Sequence, residues 1–326
     1  VRVVIAGGGG FIGGHLAASY LADGHEVRCV DRAPLHRWHQ RHHDAEQVVA
    51  DLNDPRTAAD AVAGCDVVIN LACDMGGMGF IEHHKARCMT SVLTNTHLIV
   101  AATEAGAGRY FFASTACVYP AGLQDSTAPV ALKESDAYPA DPEDGYGWEK
   151  LFGERMCRHY AEDFGLDVRI ARFHNVFGPL GTWRGGREKA PAAICRKIAI
   201  AELTGEHRIE VWGDGEQRRS FLYVDDAVDG VRRLMASDVD VPVNIGSEHT
   251  VSVNQLVALV SDIAGIQVER HHDLTQPQGV RGRTSDNTFV REHLGWEPTV
   301  ALRDGLERTY TWIRSQVEND LAAARS

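Results

Sequence analysis

Apolar residues in the first half of the chain fall in short continuous runs, with helical stretches between them. VRVVIAG (1–7) is one such run, and its unbroken apolar character is that of a parallel strand buried on both faces. GGGGFIGG follows, and HLAASYLADGH (15–25) then carries helical spacing. EVRCVDR (26–32), QVVAD (47–51), CDVVINLA (65–72) and RYFFAS (109–114) read as further strands. This alternation predicts an α/β fold built on a doubly wound parallel sheet. DGYGWEKLFGERMCRHYAEDFG (144–165) reads as a helix. After residue 172 the alternation becomes irregular, and glycines, arginines and tryptophans gather. FLYVDDAVDGVRRLM (221–235) reads as a strand and a helix, and VNIGS (243–247) ends another strand; both are expected to return to the first sheet. The expected division is therefore a first domain over 1–176, joined by about 220–247, and a smaller α/β domain over 177–326.

Gly7, Gly10 and Gly13 stand between the first strand and the first helix as G-x-x-G-x-x-G. One glycine permits the tight turn, a second lets the backbone approach a pyrophosphate at the helix N-terminus, and the third lets helix and strand pack closely. Asp31 ends the second strand about 20 residues on, where an acid accepts the ribose hydroxyls of NAD. Arg32 could instead favour a 2′-phosphate, but the acid holds the strand end, so NAD is the expected cofactor. Asp51 ends the third strand, within reach of the adenine. The same turns and strand ends bring Phe11, Ile12, Leu52, Leu71, Ala72 and Phe173 into the predicted cofactor set. The first domain is thus read as a Rossmann NAD-binding domain, and the second as the holder of a substrate.

Composition narrows the class. The 326 residues carry a formal net charge of −12, which disfavours a general nucleic-acid binder and leaves room for a local basic pocket. No apolar run is long enough to span a membrane. The opening VRVVIAGGGG reads as a strand and turn rather than a signal peptide. Seven cysteines with no CxxC pair suggest a reducing, cytoplasmic setting. HRWHQRHH (36–43) puts His39 and His43 four residues apart, but no Cys, Asp or Glu nearby completes a ligand set. The segment reads as a solvated loop, and no metal is expected.

Tyr146 and Lys150 share one face of the 144–165 helix. A free phenol titrates near ~10, and a nearby ammonium stabilises its phenolate. STACVYP (114–120) follows the fifth strand and puts hydroxyls and the thiol of Cys117 at its tip. A thiol there is either a small buried apolar group or a proton-transfer or nucleophilic group. A dinucleotide fold, a Ser/Thr pair at a strand tip and Tyr-x-x-x-Lys together resemble the extended short-chain dehydrogenase/reductase superfamily. That resemblance implies that Thr115 or Ser114 completes a hydroxyl-handling triad with Tyr146 and Lys150.

Longer stretches resemble one branch of it, the GDP-mannose 3,5-epimerase family: NLACDMGGMGFI (70–81), LKESDAYPADPEDGYGWEK (132–150), RFHNVFGPLGTWRGGREKAPAAICRK (172–197), WGDGEQRRSF (212–221) and GVRGRTSDN (279–287). The likeness runs from about residue 1 to about 315. It implies a GDP-sugar substrate, Cys117 as base and Lys189 as acid, with Glu188 on sugar hydroxyls and Gly76 at the substrate. It also implies that Asn175, Lys197, Arg219 and Arg283 contact the nucleotide diphosphate; on physical grounds Arg281 is an equal candidate. Chemically, oxidising the sugar C4 hydroxyl to a ketone acidifies the C3 and C5 protons. One group then removes a proton from one face, another returns one to the opposite face, and C4 is reduced again. Departures from the pattern are Thr115 in place of Ser, Trp148 in place of a smaller apolar residue, and Ser91 where the superfamily carries a helix asparagine that supports the active-site backbone. Superfamily habit implies a homodimer through the helices near 90–105 and 146–163. The alternatives are a 4-epimerase of another nucleotide sugar and a non-catalytic NAD-binding sensor.

Overall fold

The computed structural model describes residues 1–325. Strands run in chain order as β1 (Arg2–Ala6), β2 (Glu26–Asp31), β3 (Glu46–Val49), β4 (Val67–Asn70), β5 (Arg109–Thr115), β6 (Ala131–Leu132), β7 (Val168–Phe173), β8 (Val176–Phe177), β9 (Arg208–Trp212), β10 (Arg218–Ser220), β11 (Leu222–Tyr223), β12 (Pro242–Ile245), β13 (Thr250–Ser252), β14 (Glu269–Asp273) and β15 (Gly282–Ser285). Helices are α1 (Phe11–Ala22), α2 (Pro55–Val62), α3 (Met78–His83), α4 (Lys85–Met89), α5 (Ser91–Glu104), α6 (Asp144–Phe164), α7 (Ala190–Thr204), α8 (Val224–Ala236), α9 (Val253–Ala264), α10 (Thr288–Leu294) and α11 (Leu302–Arg325).

The main sheet has seven strands in the order β12-β7-β5-β4-β1-β2-β3, all parallel. Its central strands are largely apolar because helices cover both faces; every residue of β7 is buried, two arginines included. Strand order reverses between β1 and β4, and a crevice opens there beyond the carboxyl ends of the strands, where doubly wound sheets hold ligands. One apolar cluster, around Val4, Val30, Val68 and Phe112, lies under α2, α5 and α6. Another, around Ile5, Ile69 and Phe111, continues through α1 and α8 into the smaller layer of α7, α9 and α11.

The smaller region holds a four-stranded sheet, β13-β10-β15-β6, and the two-strand pairs β8/β11 and β9/β14. Strand β12 hydrogen-bonds to β7 at the edge of the main sheet. The expected division is amended twice: β11, expected in the main sheet, pairs instead with β8, and β6, from the first part of the chain, pairs with β15 in the smaller sheet. The segment 121–137 therefore crosses between the two regions and fastens them together. The histidine-rich segment also differs from the solvated loop expected of it. Trp38 is buried against Gly9, His39 N–H donates to Gly9 O at 3.0 Å, and His42 Nε2 lies 2.9 Å from Gly14 O. An indole too large and apolar to leave in water pulls the loop onto the glycine turn and braces it.

Candidate active site

Two clefts meet above the carboxyl ends of β1, β4 and β5. The first encloses about 650 Å³, and Gly7, Gly10, Asp31, Asp51, Leu52 and Ala72 are among its walls. Gly7 turns with φ +83°, and its N–H donates to Val30 O at 2.8 Å. A Cβ on Gly13 would lie 2.2 Å from Gly7 O, so only glycine lets α1 start this close to the turn. No side chain caps α1 and its first turn carries no acid, so its leading N–H groups face the cleft free to take an anion. Asp31 accepts the Ala33 N–H through one oxygen, at 2.9 Å. These features fit a dinucleotide. Leu71 also lines this cleft, whereas Tyr146 and Phe173 line the neighbouring one; Phe11 and Ile12 pack partly buried at the start of α1. Arg32 does not stand free: it reaches from the end of β2 to Asp74 Oδ2 at 2.7 Å.

The second cleft is larger, about 1460 Å³, and lies between the main sheet and the smaller region. Thr115, Cys117 and Tyr146 line it on one side, and Lys189 does so from the start of α7. Gly76, Asn175, Glu188, Lys197, Arg219 and Arg283 line it too. The geometry behind this convergence is tight. Residues 116–118 form a single 3-10 turn at the tip of β5, and Thr115 caps it by accepting the Cys117 N–H at 3.3 Å. Helix α6 lies directly on that turn: a Cβ on Gly147 would sit 2.3 Å from Cys117 O, and Glu143 N–H donates to the same carbonyl at 2.9 Å. Tyr146 and Cys117 are thereby fixed relative to each other through backbone.

Strand alternation decides between the two hydroxyls. Ser114 points the other way and donates to Glu154 in the core, so Thr115 is the one beside Tyr146. Lys150 is buried beneath, its Nζ 5.0 Å from the centroid of the Phe112 ring and 5.9 Å from that of Tyr146. Burial opposes its charge, but Glu149 and the thiols of Cys73 and Cys157 outweigh that and hold it protonated. Burial pushes the Tyr146 phenol well up, and the neighbouring Cys73, Cys117 and Glu149 push it further.

The Cys117 thiol does not match the lowered value its cationic neighbours suggest. Burial pushes it up, Glu143 adds to that, and Arg283 only partly offsets them. Arg283 Nη1 lies 3.4 Å from Cys117 Sγ, its Nε donates to Gln124, and its Nη2 pairs with Glu143. All its nitrogens are thus engaged around the thiol, which is a different setting from the diphosphate contact implied for it. Arg219 is the better-placed diphosphate group. It bonds only backbone carbonyls, with Nη1 donating to Arg218 O at 2.8 Å, and among the described residues no carboxylate pairs with it. Burial and Arg283 lower it to about 10, which leaves it cationic at neutral pH. Lys197 donates to Glu210 O at 2.7 Å, and Asn175 Nδ2 to Ser220 O at 3.1 Å. Arg281 drops out, because Asp214 takes its fork at 2.9 and 3.1 Å outside the cleft.

Lys189 is pulled down by burial first, with Arg283 adding to it. Ser91 does stand where a backbone support is needed: its Oγ accepts the Asp74 N–H at 2.9 Å. Trp148 faces outward, half exposed, and touches neither cleft. Several residues that sequence reasoning passed over converge here: Asp74, Arg187, Glu143, Gln124 and Cys73. The only sequence signal for four of them was the motif each sits in, and Gln124 lies between two motifs with no signal at all. Among the described residues no group of three or more His, Cys, Asp or Glu could hold a metal ion, and no helix is long and apolar enough to cross a membrane.

Comparison with known proteins agrees with this geometry. The chain is 45% identical over 98% of its length to GDP-mannose 3,5-epimerase 1 of Oryza sativa subsp. japonica, covering 83% of that protein. Its fold superposes on UDP-glucose 4-epimerase of Thermotoga maritima with a TM-score of 0.87 at 25% identity, over 97% of this chain and all of that one. It also superposes on MoeE5, solved with UDP-glucuronic acid and NAD, with a TM-score of 0.82 at 29% identity, over 97% of this chain and all of the other. Residues 3–246 match the NAD dependent epimerase/dehydratase family, and with its glycine turn, its Tyr146–Lys150 helix and these relatives the chain belongs to that family.

Proposed function

We propose that this protein is an isomerase that epimerises GDP-D-mannose at C5, C3 or both; C5 alone gives GDP-L-gulose, both centres give GDP-L-galactose, and C3 alone gives GDP-D-altrose. The observation that carries the reading is that Thr115, Tyr146, Cys117 and Lys189 line one cleft beside a dinucleotide-binding turn. The 45% identity to a rice GDP-mannose 3,5-epimerase supports the substrate. NAD, when bound, accepts hydride from sugar C4 and returns it, so no external redox partner is needed. Arg32 is tied to Asp74, so the cation next to Asp31 is not free to take a 2′-phosphate, which supports NAD over its phosphorylated form.

Tyr146 takes the C4 hydroxyl proton, with Thr115 holding that hydroxyl and the Lys150 charge stabilising the phenolate. Cys117 takes the proton from C5 or C3 of the ketone. Its thiolate is favoured by Arg283, 3.4 Å away, which offsets part of the cost of burial. Lys189 returns a proton from its own side of the cleft; a depressed ammonium is the better acid near neutral pH. Arg219, Lys197 and Asn175 hold the diphosphate, and Glu188 orients sugar hydroxyls.

The main sheet with residues 1–176 and about 220–247 serves as the cofactor half, and the rest, with the 121–137 crossing segment, as the substrate half. We place the protein in the cytoplasm, consistent with seven free cysteines. We also assign it a homodimer through α5 and α6. Trp148 and Phe152, one turn apart on α6, are half exposed, as are Met89 and Leu93 beside and on α5. Such a patch is covered in most soluble proteins.

Incubation of the NAD-loaded protein with GDP-mannose in deuterium oxide, read by NMR, tests the reading. Deuterium is expected at C5 or C3 of the sugar; its absence from both refutes it. The likeness to a UDP-glucose 4-epimerase keeps a second reading open, inversion at C4 alone. That reaction exchanges no carbon-bound proton and survives Cys117→Ala.

A further inference from the structure

The buried carboxylate of Asp74 takes no part in the chemistry above, yet three guanidinium groups meet on it. Arg32 Nη2 lies 2.7 Å from Oδ2, Arg87 Nε 2.5 Å from Oδ2, and Arg187 Nη1 2.6 Å from Oδ1. Burial alone would raise Asp74, but these cations outweigh it and hold the carboxyl down at about 2. One cation would suffice to neutralise the acid; three join separate parts of the molecule. Arg32 directly follows β2, Arg87 lies on α4, and Arg187 stands two residues before Lys189.

The turn that carries Arg187 is docked on the Asp74 segment by backbone as well. Arg187 Nη1 also donates to Met75 O at 3.1 Å, Gly77 N–H donates to Arg187 O at 2.9 Å, and the guanidinium lies 3.7 Å from the centroid of the Phe80 ring. A Cβ on Gly77 would come within 2.4 Å of Glu188 O. Glu188 is fixed in turn, accepting from Arg196 Nη2 at 2.9 Å and from Gly186 N–H at 2.8 Å. Lys189 then begins α7 as its N-cap residue, and among the described residues no hydrogen bond holds its Nζ. The backbone turn therefore sets where its side chain enters the cleft.

We propose that Asp74 is a positioning residue for Lys189: by gripping Arg187 it fixes the turn that presents the proton-returning ammonium to the sugar. This rests on the epimerase reading above. Removal of the C5 proton by the Cys117 thiolate yields a thiol and an enolate. With Lys189 in place the enolate takes its new proton from the ammonium, and the centre inverts. With Lys189 displaced, the thiol, after exchanging its proton with solvent, protonates the enolate on the face it left. The sugar is then labelled but not inverted.

The test follows GDP-mannose with NAD-loaded enzyme in deuterium oxide and reads by NMR the deuterium in recovered substrate against that in inverted product. Asp74→Asn and Arg187→Met are each expected to raise the exchange-to-inversion ratio at least tenfold. Arg87→Gln, which removes a cation from Asp74 but none from the turn, leaves the ratio unchanged. General loss of structure lowers exchange and inversion together, so a ratio unchanged in both variants overturns the proposal. Should Asp74→Asn not fold, Arg187→Met decides alone. Absence of deuterium in the unmodified enzyme is a different result, and it refutes the epimerase reading itself.

Discussion

Arg172 and Glu154 meet where β5, β7 and α6 come together. The guanidinium donates from Nε to Oε1 at 2.9 Å and from Nη2 to Oε2 at 2.7 Å, with side chains 2% and 3% exposed. Ser114 adds a bond to the carboxylate, and Arg172 Nη1 donates to Glu134 O at 2.7 Å. Glu154→Gln keeps the shape and removes one charge, leaving the guanidinium buried without its anion. Breaking a buried pair this way costs about 3–5 kcal/mol. Unfolding entropy of ~2.1 cal/mol/K per residue over 326 residues is ~0.7 kcal/mol/K, so Tm is expected to fall by ~4–7 °C. Calorimetry on the single variants Glu154→Gln and Arg172→Met and on Glu154→Leu/Arg172→Met is the assay. The double variant removes both charges and is expected to recover most of the loss, since the pair itself contributes little net stability. Singles costing under ~1 kcal/mol, or a double costing their sum, would refute the reasoning.

Cys117→Ala is expected to lower deuterium exchange at C5 by at least ~10²-fold, the usual span of a lost general base, while substrate-dependent absorbance of reduced cofactor at C4 oxidation persists. Lys189 supplies a pH signature. Its folded value lies below the 10.5 of the unfolded chain, so the unfolded state binds more protons between the two, and stability rises with pH across that window. Lys189→Met is expected to remove that rise and to be the more stable protein at neutral pH, read from denaturant midpoints between about pH 7 and 11. Phe152→Glu puts a charge into the exposed apolar face of α6 and is expected to give a monomer in sedimentation; an unchanged dimer refutes that interface.

The glycine turn, the strand end at Asp31 and the Tyr146–Lys150 spacing were legible because local chemistry dictates them: a tight turn, a buried parallel run and one helical period; the third strand stops at Val49, two residues before the Asp51 expected to end it. The doubly wound parallel sheet followed from the same alternation. What the sequence could not display was pairing across long separations. Arg283 and Cys117 are 166 residues apart, and nothing local distinguishes an arginine that faces a thiol from one that faces a phosphate. Arg281, two residues away, has the same composition around it but points out of the cleft to Asp214. Ser114 and Thr115 were equivalent as letters, and only the strand pleat separated them. Burial likewise set the direction of the thiol's shift, because desolvation by the surrounding fold exceeded the effect of one nearby cation. The histidine-rich loop misled through its polar composition, since one tryptophan within it decided where the segment lies.

The bridge from Arg32 to Asp74 also bears on time. Arg32 leaves the end of β2, Asp74 lies beyond the end of β4, and β1 with its glycine turn runs between them. Arg32 and Asp74 both line the cleft that holds the glycine turn, so a dinucleotide bound there would leave past their ion pair. A dehydrogenase that discharges reduced cofactor every cycle would be throttled by such a strap. A catalyst that hands the hydride back loses nothing, and its throughput becomes independent of the oxidised-to-reduced balance of the surrounding cofactor pool. Its vulnerable moment is instead internal: a sugar ketone that escapes before reduction strands the enzyme in its reduced form until an oxidised sugar returns.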